Sequence, residues 1–122
     1  MRWKVNNETR GRLLADRAER AASFVSRFKG LMGRRSLVFG EGMHIVPCNS
    51  IHTFFMRIPI DVVFLDPEGR IVKQIPAMPA WRMSSVYFKA HSVLELPAGT
   101  LEASQTQEGD RLVFEPATQP GG

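Results

Sequence analysis

The sequence predicts a β-rich α+β domain, with one N-terminal helix packed on a strongly bent, mostly antiparallel sheet or on a partly closed small β-barrel. Three observations lead there. Ala21, Phe24, Val25, Phe28 and Leu31 recur at helical spacing, the mark of a helix with one apolar face. Asp66-Pro67-Glu68-Gly69 stands between two β-branched runs and has Asp, Pro and Gly where a type I turn wants them. From Ile45 onward the chain is a series of short apolar segments punctuated by Pro, Gly and Asp, which brings the count to about seven strands in hairpin-like order.

Taken in order, residues 3–14 read as one or two short strands turning at Asn6-Asn7-Glu8-Thr9. Asp16 and Glu19 have capping spacing, so the helix is expected from about Arg17 to Lys29, with Gly30 and Gly33 as stops. Residues 33–43 form a Gly-rich connecting loop that lacks the Gly-Lys-Ser/Thr ending of a phosphate loop. Ile60 to Leu65 is apolar without alternation except at Asp61, as in a strand covered on both faces. The turn at Asp66 leads into a returning strand, Ile71 to Ile75, and Pro76 and Pro79 are expected to break the ladder into a loop carrying Trp81. Val86 to Leu96 alternates well enough for one long strand, ended by Pro97-Ala98-Gly99. Thr100 caps one or two helical turns, and Glu108-Gly109-Asp110 turns into a last strand, Arg111 to Phe114. Residues 1–115 are one domain, and the tail 116–122 is expected to be disordered.

Composition narrows the function classes. The 122 residues suit one ordinary globular core, at 43% hydrophobic and 23% charged. A single cysteine excludes an internal disulfide. No run of about 18 apolar residues offers a membrane span. With no apolar signal region behind Met1, a cytoplasmic location is expected. The net charge of +4 is uneven: residues 1–35 hold ten Lys/Arg and three Asp/Glu, and the remainder is acidic. Without a zinc-finger pattern, recognition helix or stacking motif, the basic end is read as a solvated helix face rather than a nucleic-acid site.

The segment from Pro47 to Asp66 holds the chemistry. Cys48, His52, Met56 and Asp61 all lie in or beside apolar chain, where an unpaired polar group is costly. On a strand, Ser50, His52, Phe54 and Met56 share one face, suited to a pocket, and Ile51, Thr53 and Phe55 the core face. Four residues of extended chain span about 13 Å, too far for Cys48 and His52 to ligate one zinc without a bend. Cys48 with His52 or His91 as base would be a nucleophilic pair, but no flanking signature marks it. Asp61 either accepts backbone N–H groups or pairs with His52. Trp81 is a lid over an apolar pocket or a plug closing one barrel end.

With these residues in view, the chain resembles the domain-of-unknown-function family 192 (DUF 192), small uncharacterised prokaryotic proteins. The matching positions are Arg27 to Arg34, Gly42-Met43, Pro47-Cys48-Asn49-Ser50-Ile51-His52-Thr53 with Met56, Pro59 to Asp66, Val93 to Gly99, and Gly109-Asp110. The Pro-Cys-x-Ser-Ile-His-Thr run assigns it to one branch. The resemblance implies a compact β-rich fold with one helix and supplies no activity, substrate or cofactor.

Three readings follow. The first is a binding module in which Cys48, His52, Met56, Asp61 and Trp81 hold a small ligand or a soft metal ion, copper(I) before calcium. The second is a non-catalytic interaction protein using the basic helix and the Trp81 loop. The third is an enzyme using Cys48 or His52. No catalytic residue, metal ligand or cofactor is assigned, and neither partner nor oligomeric state is specified.

Overall fold

The computed structural model describes residues 1–23, 33–34 and 36–117. Seven strands form one sheet: β1 (Trp3–Asn7), β2 (Arg12–Ala21), β3 (Gly40–Ile45), β4 (Ile60–Leu65), β5 (Ile71–Met78), β6 (Ser92–Pro97) and β7 (Leu112–Pro116). A single helical turn, α1 (Thr100–Ala103), precedes β7. The spatial order is β5-β4-β6-β3-β2-β1-β7. Every pairing is antiparallel except β2 with β3. The sheet curls into a half-barrel whose outer strands meet at one end. There Ile71 N–H donates to the Asp110 carbonyl at 2.9 Å, Gly109 N–H to Ile71 O at 2.8 Å, and Leu112 N–H to Gly69 O at 2.8 Å. Gly69 serves the turn and the closure together: its φ is +84°, and a Cβ would lie 2.5 Å from Leu112 O.

β4 explains why the sheet has two cores. All six of its residues are buried, as the unbroken apolar run requires. Val63 and Leu65 face the concave side with Val5, Leu14, Ala18, Leu94, Leu96, Leu101 and Leu112. Ile60, Val62 and Phe64 face the convex side, where Ile51, Met56, Met78 and Val93 pack on them. The expected turn after β4 is present, with Gly69 N–H donating to Asp66 O at 3.0 Å and Asp66 Oδ1 accepting from the Glu68 and Arg70 N–H groups.

The expected N-terminal helix is overturned. Residues 17–21 continue β2, and among the described residues no helix reaches seven residues, so no N-terminal helix packs on the sheet. Phe24, Val25, Phe28 and Leu31, on which the helical spacing also rested, lie outside the described residues. The spacing within β2 has a physical origin. Its pairing with β1 and β3 shifts register around Asp16, and a bulge breaks the period of two. The buried positions are therefore Leu14, Ala15, Ala18 and Ala21, spaced like a helix face. Asp16 caps nothing; it pairs with Arg17 at 2.7 Å.

Four further boundaries move. The first hairpin turns at Glu8–Gly11 rather than Asn6–Thr9, with Gly11 N–H closing on Asn7 O. β5 runs through Pro76 to Met78, which an edge strand permits, and bulges at Ala77 (φ +47°). β6 begins only at Ser92, so Val86 and Phe88 are exposed loop residues. The last strand includes Pro116, and residues 118–122 of the expected tail lie outside the described residues. Among the described residues no helix is long and apolar enough to cross a membrane.

Candidate functional site

The convex core is covered by two segments, residues 46–59 and 79–91, laid side by side. Pro47, Pro59 and Pro79 keep them out of a regular ladder, so their backbone groups need other partners. They find them in each other. Cys48 N–H donates to His91 O at 2.8 Å, and Tyr87 and Ser84 N–H to Asn49 and Ile51 O at 2.9 Å. Thr53 N–H donates to Arg82 O at 2.8 Å, and Trp81 N–H to Thr53 O at 2.9 Å. The Thr53 side chain is fully buried between the segments. Its Oγ1 accepts the Arg82 N–H at 2.8 Å and donates to Pro79 O at 2.7 Å. One small hydroxyl thus clamps the layer.

Just beyond that clamp the layer turns outward. Phe55 and Trp81 both have left-handed backbone, φ +64° and +62°, and are 58% and 55% exposed. Their rings are 4.8 Å apart. Phe54 lies 6.1 Å from Trp81 and stacks on His52 at 5.0 Å. His52 Nδ1 accepts the Phe54 N–H at 3.2 Å, and His52 bridges to Met83. Of the five expected site residues, His52 and Trp81 are therefore joined, through Phe54. Phe55, expected in the core, is on the surface.

The other three lie elsewhere. Met56 is buried in the convex core, not on a pocket face with His52. Cys48 is at the far end of the layer, its thiol donating to Ser50 O at 3.0 Å. It lines a cleft of about 220 Å³ with Pro47, Asn49, Ala90 and His91. Asp61 belongs to the alternate set of β4 that faces the concave core. Its Oδ1 accepts the Ala77 N–H at the β5 bulge and its Oδ2 the Leu101 N–H in α1, both at 2.8 Å. The buried carboxylate fastens an edge strand and a helical turn to the central sheet, and both its oxygens are engaged without His52. Among the described residues no group of three His, Cys, Asp or Glu is placed to hold a metal ion.

Several polar groups were not singled out from the sequence. Glu95, on β6, is buried, and burial pushes its carboxyl up to about 8. His44, on β3, stacks on Phe114 at 4.2 Å, and its Nδ1 accepts from Arg20 Nε at 3.3 Å. Burial, with the Arg20 and His91 charges, lowers it to about 4. Its Nε2 is buried without an acceptor among the described residues. Arg20 lies 4.0 Å over the Trp3 ring. Asp110 accepts from Asn7, Arg10 and the Gln107 N–H. Burial pushes its carboxyl up, but those bonds and the Arg10 charge outweigh it and hold the group below the usual range. The signal available for Glu95 was its place in the apolar run Val93 to Leu96.

The family model for DUF192, described as an uncharacterised ACR, matches residues 5–114. The chain belongs to the DUF192 family. That match spans the sheet from Val5 to Phe114 and the whole outer layer. Among DUF192-like relatives, an uncharacterised UPF0127 protein of Thermococcus kodakarensis is 32% identical over 94% of this chain and 75% of its own length. A UPF0127 protein of Pyrococcus furiosus is 33% identical over 87% of this chain and 93% of its own. A protein of unknown function from Novosphingobium aromaticivorans shares the fold, with a TM-score of 0.79 at 21% identity, covering 93% of this chain and 84% of that one. A Sinorhizobium meliloti protein described as a candidate transcription regulator has a TM-score of 0.78 at 25% identity, covering 93% of this chain and 92% of its own.

Proposed function

We propose that this DUF192 protein is a non-catalytic binding module whose working surface is the outer layer, with Phe54, Phe55 and Trp81 as its contact residues. The observation that carries the reading is the pair Phe55 and Trp81, bulky, exposed and both in left-handed backbone. Such a conformation costs about 1–3 kcal/mol per residue and persists only where the surroundings over-determine it. Here the Thr53 clamp does so. The turn closed by Met56 N–H on Thr53 O and the Gly33 N–H bond to Phe55 O hold the Phe55 backbone, but nothing in them calls for a bulky ring more than half exposed at either position. A ligand or soft-metal site built from Cys48, His52, Met56 and Asp61 has less support, because Met56 is core and Asp61 holds two backbone N–H groups. Nucleic-acid binding, which the Sinorhizobium meliloti description suggests, has less support too: Arg17 and Arg34 are paired with Asp16 and Glu41.

The test is site-specific photocrosslinking in the native host, with a photoreactive amino acid replacing Trp81 and, as a control, Glu102 on α1. A discrete adduct from position 81, absent from position 102 and lost with Phe55→Ala, is expected. Equal yields from both positions, or none from position 81, would refute the reading.

A further inference from the structure

We infer that the outer layer docks on an anionic lipid surface; this rests on the binding role just proposed and names its partner. The layer is one chain thick against the sheet, with Ile51, Met56 and Tyr87 turned inward. Its exposed side chains therefore face away from the protein. Five of them are large and apolar: Phe55, Trp81, Met83 (70% exposed), Val86 and Phe88 (89% exposed). Along the paired segments they run from Phe55 beside Trp81 to Phe88, which follows the Tyr87 bonded to Asn49. The charges carried by the layer's own two segments have one sign. From Met43 to Ile60 and from Gly69 to Leu94 there is no Asp or Glu, and Arg57, Arg82 and Lys89 are all exposed.

Charge and shape choose the occupant. A second copy would set cation against cation across the interface. A single nucleic-acid strand would use the rings for stacking, but Met83 and Val86 have no π-face to offer. Protruding aromatic and aliphatic side chains among cations suit the headgroup boundary of a bilayer: the rings and Met83 enter the upper acyl region, and Arg57, Arg82 and Lys89 meet anionic headgroups.

Co-sedimentation of the full chain with phosphatidylglycerol–phosphatidylcholine vesicles tests this, beside vesicles of phosphatidylcholine alone. Binding to the anionic vesicles is expected to weaken on the order of 100-fold when Arg57, Arg82 and Lys89 are all changed to Gln. An equal charge change at Arg2, just before β1, Lys4 on β1 and Arg12 on β2 should weaken it far less. Tryptophan emission should shift blue on binding, and the shift should be absent in Trp81→Phe. An unchanged urea unfolding midpoint confirms that each variant is folded. No binding to anionic vesicles, equal losses from the two charge sets, or displacement from vesicles by a single-stranded oligonucleotide overturns the inference. A protein adduct from position 81 together with absent vesicle binding would overturn the lipid partner alone and leave the binding role standing.

Discussion

Glu95→Gln isolates one buried carboxyl and gives it a measurable pH signature. Glu95 pairs with Met43 and Val62 on the neighbouring strands, in the middle of the sheet. Burial raises its folded value from 4.5 to about 8. Between those values the unfolded chain has released the proton and the folded chain still holds it. The contribution to stability is complete below pH 4.5 and is lost as pH rises toward 8. Each pH unit is worth about 1.4 kcal/mol, so at neutral pH the loss is about 3 kcal/mol, a large share of the 5–15 kcal/mol typical of a domain. His44 acts in the opposite direction. Its folded value is lowered from 6.5 to about 4, so its contribution is complete above 6.5 and is lost as pH falls toward 4.

Wild-type stability should therefore be nearly flat where the two windows overlap, and fall above it. The Gln variant lacks the Glu95 slope and should only gain stability as pH rises to neutrality. Urea midpoints of both proteins across this range, converted at constant m, give the difference curve. A gap widening with pH in favour of Glu95→Gln, then constant above pH 8, is expected. Parallel curves would mean that Glu95 ionises in the folded protein as it does in the unfolded chain, and the burial argument would fail.

Four other perturbations test the fold and the site. Thr53→Val keeps shape but leaves the Arg82 N–H without its acceptor, a loss of about 1–3 kcal/mol by urea denaturation, with increased quenching of Trp81 by acrylamide. Asp61→Ala removes the acceptor of two backbone N–H groups and should cost about 2–4 kcal/mol; hydrogen exchange should accelerate at Ala77 and Leu101 before the rest of β4. Gly69→Ala meets a positive φ and the Leu112 carbonyl, so a loss of about 1–3 kcal/mol in thermal or urea denaturation is expected. Asp110 has a lowered folded value, so its contribution is complete above the unfolded value and is lost as pH falls through the folded one. Asp110→Asn should accordingly be least stable relative to wild type at neutral pH, with the gap closing in acid.

What could be read from the residues depended on whether the physical cause was local. The turn at Asp66 and the doubly buried strand before it were legible, because each is specified by its own side chains. β2 was not. The helical reading rests on Ala21, Phe24, Val25, Phe28 and Leu31 with Asp16 and Glu19 as its cap, whereas Arg17 to Ala21 pair with β3 and Ala18 also with β1, partners that a local pattern does not show. Asp61 was correctly seen as a buried carboxyl with two candidate uses. The N–H groups it accepts come from Ala77 and Leu101, 16 and 40 residues away, beyond the reach of a local pattern. The alternation assigned to residues 50–56 failed for a related reason. The segment is not a strand of the sheet but half of a paired layer, and the left-handed backbone of Phe55 interrupts its period.

The layer also separates what holds it from what it presents. Its integrity rests on Thr53, on the cross-segment N–H bonds and on the core contacts of Ile51, Met56 and Tyr87, all turned toward the sheet. The residues assigned to binding are turned the other way, so the same backbone constraint that strains Phe55 and Trp81 does not depend on their rings. Truncating either ring to Ala leaves that backbone strain in place and opens no core cavity, so stability should stay within about 0.5 kcal/mol of wild type. A large loss of stability in Trp81→Ala would make the ring a structural plug and remove the main support for a binding surface. Retained stability with lost vesicle binding would separate the two roles on one residue.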